Sequence, residues 1–131
     1  MPDQPLDDRG LPVGYEFHDD YEITPRDTRD RLADPDDACV LVDVREADEL
    51  RVAAIPKAMH FPLGRIADDH DDLADELPQG RGTPLLVLCH HGRRSLRATL
   101  ALRQLGFADV LSVAGGTDLW SRDIDPALPR Y

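Results

Sequence analysis

The stretch Leu88-Cys89-His90-His91-Gly92-Arg93-Arg94-Ser95 puts one cysteine between an apolar run and a cluster of histidines and arginines. That order suits nucleophilic chemistry at sulfur. A cysteine at the carboxyl end of a parallel strand, just ahead of a helix, faces unpaired backbone N–H groups and the positive end of the helix dipole. Arg93 and Arg94 add two full charges. All of these favour the thiolate, which is the attacking species, over the thiol. Gly92 lets the loop turn tightly and aim its N–H groups inward, as an anion-binding nest requires. Taken alone, a strand-end cysteine is more often a small buried residue. It is the composition of the loop that marks Cys89 as reactive.

The second cysteine reads differently. Cys39 opens an apolar run beside Ala38 and Val40, with no basic neighbour in that run, and is expected to be an inert core thiol. Two cysteines make no disulfide framework. His90 and His91 directly after Cys89 do not form a standard ligand spacing, and no second ligand pair follows, so no metal is expected. One of the two should face solvent and the other should contact substrate or the loop backbone. Nothing marks His18, His60 or His70 as catalytic.

The elements that must position Cys89 are legible in the pattern. Cys39–Val44, Leu85–Leu88 and Val110–Val113 are short apolar runs bounded by polar residues, and read as buried parallel strands. Residues 58–62 read as a brief strand ended by Pro62. Between them lie helical stretches. Thr24 caps a helix from Pro25 to about Ala33. Residues 45–53 read as a short helix. Ile66, Leu73 and Leu77 line one face of a helix over residues 64–77. Residues 95–105 are expected to turn Leu96, Leu100 and Leu105 inward and to stop at Gly106. Gly115-Gly116 makes a turn, with Thr117 capping a last helix that carries Trp120. Alternation of this kind predicts a three-layer α/β domain, with a mainly parallel central sheet of about five strands and helices on both faces.

The chain has 131 residues, 41% of them hydrophobic, enough for one domain with a real core. Residues 1–20 are rich in Asp, Pro and Gly and read as a loosely ordered extension, partly pinned by Tyr15 and Phe17; residues 21–131 form the domain. The net charge is −11, from 26 acidic and 15 basic residues. That balance disfavours nucleic acid and anionic membranes as partners. No apolar run is long enough to span a membrane, and the first residues lack the pattern of a signal peptide, so a cytoplasmic location is expected. The basic side chains are nearly all arginine and the acidic ones mostly aspartate. A GC-rich coding sequence and adaptation to salt both produce that bias.

With the loop placed, the chain resembles a single-domain rhodanese, of the rhodanese-like sulfurtransferase family, over roughly residues 22–126. Three segments carry the resemblance. LVDVREADEL resembles the family's strand-plus-helix signature, with Asp43 and Arg45 matching. CHHGRRS matches its active-site loop, and VAGGTDLW resembles its closing segment, with Gly115, Gly116 and Trp120 matching. IPKAMHFPLGRI departs from the pattern: Ala53 and Ala54 stand where the family usually has Gly-His, and Lys57 where it has Gly. The loop from Cys89 to Arg94 is one residue shorter than in the related phosphatase-type domains, which fits a sulfur-sized reaction centre better than a tetrahedral phosphate.

The resemblance implies that Cys89 is the catalytic residue and carries a persulfide. His90, His91, Gly92, Arg93, Arg94 and Ser95 would form the substrate- and anion-binding loop. Arg93 would meet the sulfonate end of a donor, and Arg94 would turn inward to brace the loop against an acidic side chain. Asp43 and Arg45 would be structural support. The implied partners are a small anionic sulfur donor such as thiosulfate and a cyanide, thiol or protein-cysteine acceptor, with no cofactor. The other reading is a persulfide carrier or regulatory interaction module with little small-molecule turnover.

Overall fold

The computed structural model describes residues 3–131. Five strands form one sheet in the order β1-β5-β4-β2-β3, and every neighbouring pair is parallel. The strands are β1 (Glu22–Ile23), β2 (Val40–Asp43), β3 (Met59–His60), β4 (Leu85–Leu88) and β5 (Val110–Val113). The helices are α1 (Pro25–Ala33), α2 (Ala47–Val52), α3 (Ile66–Glu76), α4 (Arg93–Gln104) and α5 (Gly116–Asp123). Strands alternating with helices leave a parallel sheet as the way to pair them, because each crossover returns the chain to the same end.

The period-2 geometry of the strands divides the core. Val42, Val44, Leu85 and Val87 join Ile66 and Leu73 of α3 and Ala98 and Leu102 of α4 in one buried layer. Leu41, Leu86, Leu88 and Val113 join Trp120 of α5 in the other, with Leu32 of α1 packed against it. Helices therefore cover both faces, and β4 is the most enclosed strand. Its four side chains are fully buried, which requires the unbroken Leu-Leu-Val-Leu run rather than an alternating one.

Several sequence expectations are corrected. The buried side chains of α4 are Ser95, Ala98, Thr99 and Leu102, while Leu100 is 47% exposed and Leu96 only half-buried. The helix starts at Arg93, two residues early. The cap of α5 is Gly115, not Thr117; Thr117 is buried and its N–H serves the neighbouring loop. Cys39 is half-buried at the strand's edge rather than in the core. β1 escaped the sequence pattern because two residues carry no period.

The expectation of a loose extension also differs from the structure over residues 3–20; Met1 and Pro2 lie outside the described residues. Leu11 is fully buried among Ala114 and Leu119, with Leu6, Tyr15 and Phe17 around it. Arg26 of α1 pairs with Asp123 at 2.9 Å and also donates to the carbonyl of Asp8 at 2.8 Å, tying the segment to α5. Leu11 with its apolar neighbours, and the Arg26 contact to Asp8, anchor the segment.

Candidate active site

Ligands of parallel α/β sheets gather at the carboxyl ends of the strands, where the strand order reverses. Here that point lies between β2 and β4, since the chain runs from β2 out to β3 and back across to β4. Cys89 is the first residue beyond β4 and is 1% exposed. Its sulfur accepts a hydrogen bond from the Gly92 N–H at 3.1 Å. Gly92 holds φ +102°, a left-handed conformation that favours glycine, and it caps α4. The loop therefore curls its N–H over the sulfur as the helix begins.

The loop is held from behind by α5. The N–H of Thr117 donates to the Cys89 carbonyl at 2.8 Å, and the N–H of Asp118 to the His90 carbonyl at 3.1 Å. These are donors that a helix start leaves free, and here they turn two loop carbonyls away from the sulfur. Gly116 sits at φ +60°, so close that a methyl group would drive into the carbonyls of Cys89 and His90. We expect Gly116→Ala to lower stability by more than ~2 kcal/mol through strain and overlap, read as an earlier urea midpoint with an unchanged slope.

Ser95, in the first turn of α4 and fully buried, completes the sulfur's surroundings. Its Oγ lies 3.2 Å from Cys89 Sγ, which donates to it as a thiol. The same Oγ donates to the Gly92 carbonyl at 3.2 Å and lies 2.8 Å from Ser112 Oγ on β5. When the sulfur is ionised, Ser95 can redirect its proton to it while Ser112 donates to Ser95. Hydrogen bonds to an anion are about twice as strong as neutral ones. Ser95→Ala should therefore slow alkylation of Cys89 by iodoacetamide at neutral pH several-fold, measured on the Cys89 peptide. An unchanged rate would remove the hydroxyl from the sulfur's support.

Arg94 pairs with Glu49 of α2: Nη1 to Oε1 at 2.5 Å and Nη2 to Oε2 at 2.8 Å. This bidentate pair holds the Glu49 carboxyl at about 2, mainly through the Arg94 hydrogen bonds. The ordinary value is 4.5, so the pair's contribution is complete above pH 4.5 and is lost as pH falls from there towards 2. Glu49→Gln should flatten acid unfolding in that window, followed by near-ultraviolet circular dichroism. Arg93 is exposed and lines the small pocket over Cys89, with His90, His91, Arg94 and Arg97.

His91 faces solvent and His90 is half-buried. The His90 ring stacks on Tyr131 with centroids 3.9 Å apart and planes 3° from parallel. Burial, with the neighbouring His91, holds His90 below its ordinary value, so it is neutral at pH 7. His90, His91 and Asp118 are close enough together to resemble a metal site. Both Asp118 oxygens, however, already accept from Arg130, at 2.9 and 3.2 Å, which sets a competing cation on the one anionic ligand.

Asp43 and Arg45 sit behind the loop, 1% and 0% exposed. Arg45 forms a bidentate pair with Asp43, with Nη2–Oδ2 at 2.7 Å and Nε–Oδ1 at 3.0 Å. It also donates to the Ala53 carbonyl at 2.7 Å and to Tyr131 Oη at 2.7 Å. Tyr131 Oη in turn donates to Glu49 Oε2 at 2.8 Å. Glu49, Arg97, Ser112 and Tyr131 are the neighbours that sequence reasoning did not name. An Arg94 expected to turn inward called for an acidic partner; the other three carry no local signal.

A thiol that accepts a backbone N–H at the carboxyl end of a strand is in a position suited to nucleophilic chemistry at sulfur. The family follows from comparison: residues 24–123 match the Rhodanese-like domain, and the chain belongs to that family. The maize (Zea mays) protein named adenylyltransferase and sulfurtransferase MOCS3-1 is 34% identical over 128 residues, 97% of this chain and 27% of its own length. The chain thus spans about a quarter of that relative. A rhodanese-related protein from Thermoplasma volcanium superposes with a TM-score of 0.65 at 28% identity, over 83% of this chain and 95% of its own. The human single-domain sulfurtransferase TSTD1 shares the fold, with a TM-score of 0.67 at 24% identity over 77% of this chain and 95% of its own. Among the described residues, no helix is long and apolar enough to cross a membrane.

Proposed function

We propose that the protein moves sulfane sulfur from thiosulfate, or a similar anionic donor, to cyanide or a thiol through a persulfide on Cys89. The observation that carries this reading is the Gly92 N–H directed at the sulfur of a buried cysteine, 3.1 Å away. Membership of a family with sulfurtransferase relatives supports it. The Cys89 thiolate attacks the outer sulfur of thiosulfate. The S–S bond of the donor breaks, its electron pair leaves with sulfite, and Cys89 becomes a persulfide anion. The N–H groups of the loop hold that anion as an oxyanion hole would. Cyanide then attacks the outer sulfur, thiocyanate leaves, and the thiolate is restored. Arg93 draws the sulfonate end of the donor, and Arg94 braces the loop through Glu49.

The test is intact and peptide mass spectrometry after incubation with thiosulfate, followed by a cyanide chase. The expected result is one added sulfur atom on the Cys89 peptide, discharged with stoichiometric thiocyanate. A protein that gains no sulfur from thiosulfate but does from a protein persulfide is a carrier fed by another protein. Gain from neither source overturns the sulfur-transfer reading.

A further inference from the structure

Beside the pocket over Cys89 lies a larger cleft. It holds about 620 Å³ and runs along α4 beside α3 and the turn before it, lined by Leu63, Ile66, Ala67, Ala101 and Leu105, with Arg94 and Arg97 at one end. The smaller pocket over Cys89 is lined by the same two arginines. The cleft therefore adjoins the pocket over Cys89, with Arg94 and Arg97 as their shared wall. From Arg94 to Gln104 it follows eleven residues of α4, about 16 Å at the helical rise. Cyanide occupies none of that length. An extended chain of about five residues spans it.

The charge at the thiol end is also unassigned. Ten arginines of this acidic chain are held in ion pairs. Arg94 is one of them, bound to Glu49. Arg97, exposed one turn further along α4, has no hydrogen bond or ion pair among the described residues. Glu46, the cap of α2, lines the same cleft, its charge opposite to that of Arg97. The cleft thus offers a free cation next to the thiol pocket and apolar side chains beyond it.

We propose that this cleft docks the sulfur acceptor, and that the acceptor is a cysteine on an extended polypeptide segment with an acidic residue near the cysteine and apolar residues after it. The acidic residue meets Arg97, and the apolar side chains lie against Ala67, Ala101 and Leu105. The acceptor thiolate attacks the outer sulfur of the Cys89 persulfide. The S–S bond to Cys89 breaks, its electron pair returns to Cys89 as thiolate, and the acceptor leaves as a persulfide. No external oxidant or reductant is needed. This inference rests on the sulfur-transfer reading and adds the class of acceptor.

The experiment loads Cys89 with thiosulfate, quantifies the persulfide, and discharges it with cyanide or with synthetic hexapeptides. Each peptide has one terminal cysteine, then either a glutamate or a lysine, then alternating leucine and serine, and each is also made in reverse order. The glutamate peptide should discharge the persulfide at least about tenfold faster than the lysine peptide in one of the two orders, as charge-complementary contacts of this kind give. Arg97→Glu should reverse that preference. Ala67→Glu, at an exposed cleft position, should leave loading and cyanide discharge unchanged while slowing the glutamate peptide by a similar factor. Equal rates for the two peptides, or a preference that Arg97→Glu does not move, overturn the docking inference. Wild-type protein that cannot be loaded from any donor overturns the sulfur-transfer reading itself, and the inference with it.

Discussion

Cys89→Ser is expected to reduce sulfur transfer to the uncatalysed background while leaving the fold in place. The serine hydroxyl stays protonated at neutral pH, where a cysteine ionises readily. Its oxygen does not attack sulfane sulfur and cannot carry a persulfide. The substitution is also small. Serine still accepts the Gly92 N–H now bonded to sulfur at 3.1 Å, and Ser95 remains alongside. The stability change should therefore stay within the ~1 kcal/mol typical of a mild core replacement, read from urea unfolding. Steady-state thiocyanate formation measures the activity. Transfer that survives in Cys89→Ser would remove Cys89 as the sulfur carrier and leave Cys39 to be examined, although burial holds that thiol above its ordinary value.

The second large effect is on stability. Arg45→Met should destabilise the protein by about 3–5 kcal/mol, because removing one member of a buried ion pair strands the other charge. Asp43, 1% exposed in the folded protein, would lose all three guanidinium hydrogen bonds. The Ala53 carbonyl and Tyr131 Oη would lose a donor each. Adding Asp43→Leu should recover part of the loss, since the stranded carboxylate is then gone. The double-mutant cycle isolates the pair's coupling from the effect of each deletion. A single variant as stable as the wild type would show that the pair is not structural support.

How much of this was legible in the sequence depended on how local each signal was. The strands β2, β4 and β5 were visible because short, mostly apolar runs between polar residues fit a strand buried on both faces. The helix α1 was visible from its cap: Thr24 accepts the Asp27 N–H at 3.1 Å, and Pro25 follows it. Cys89 was legible from its neighbours on one loop. The leucines of α4 suggest an inward face of large side chains. Yet Ser95, Ala98 and Thr99 face the sheet, and there their size lets the helix approach closely. Ser112 beside Ser95, and Tyr131 on His90, come from sequence positions 17 and 41 residues away. Only the parallel register and the return of the chain end bring them in.

The loop's backbone has a further consequence. The carbonyls of Cys89 and His90 are taken by α5, and that of Gly92 by Ser95 and the Leu96 N–H. What remains in contact with the sulfur is the Gly92 N–H and the Ser95 hydroxyl. Such a cup works as a sign filter, since both groups can donate to a negative sulfur. The filter is set by α5, a helix that begins 27 positions beyond the thiol. Evolution could therefore retune or silence the thiol from Gly116 without altering a single side chain of the loop.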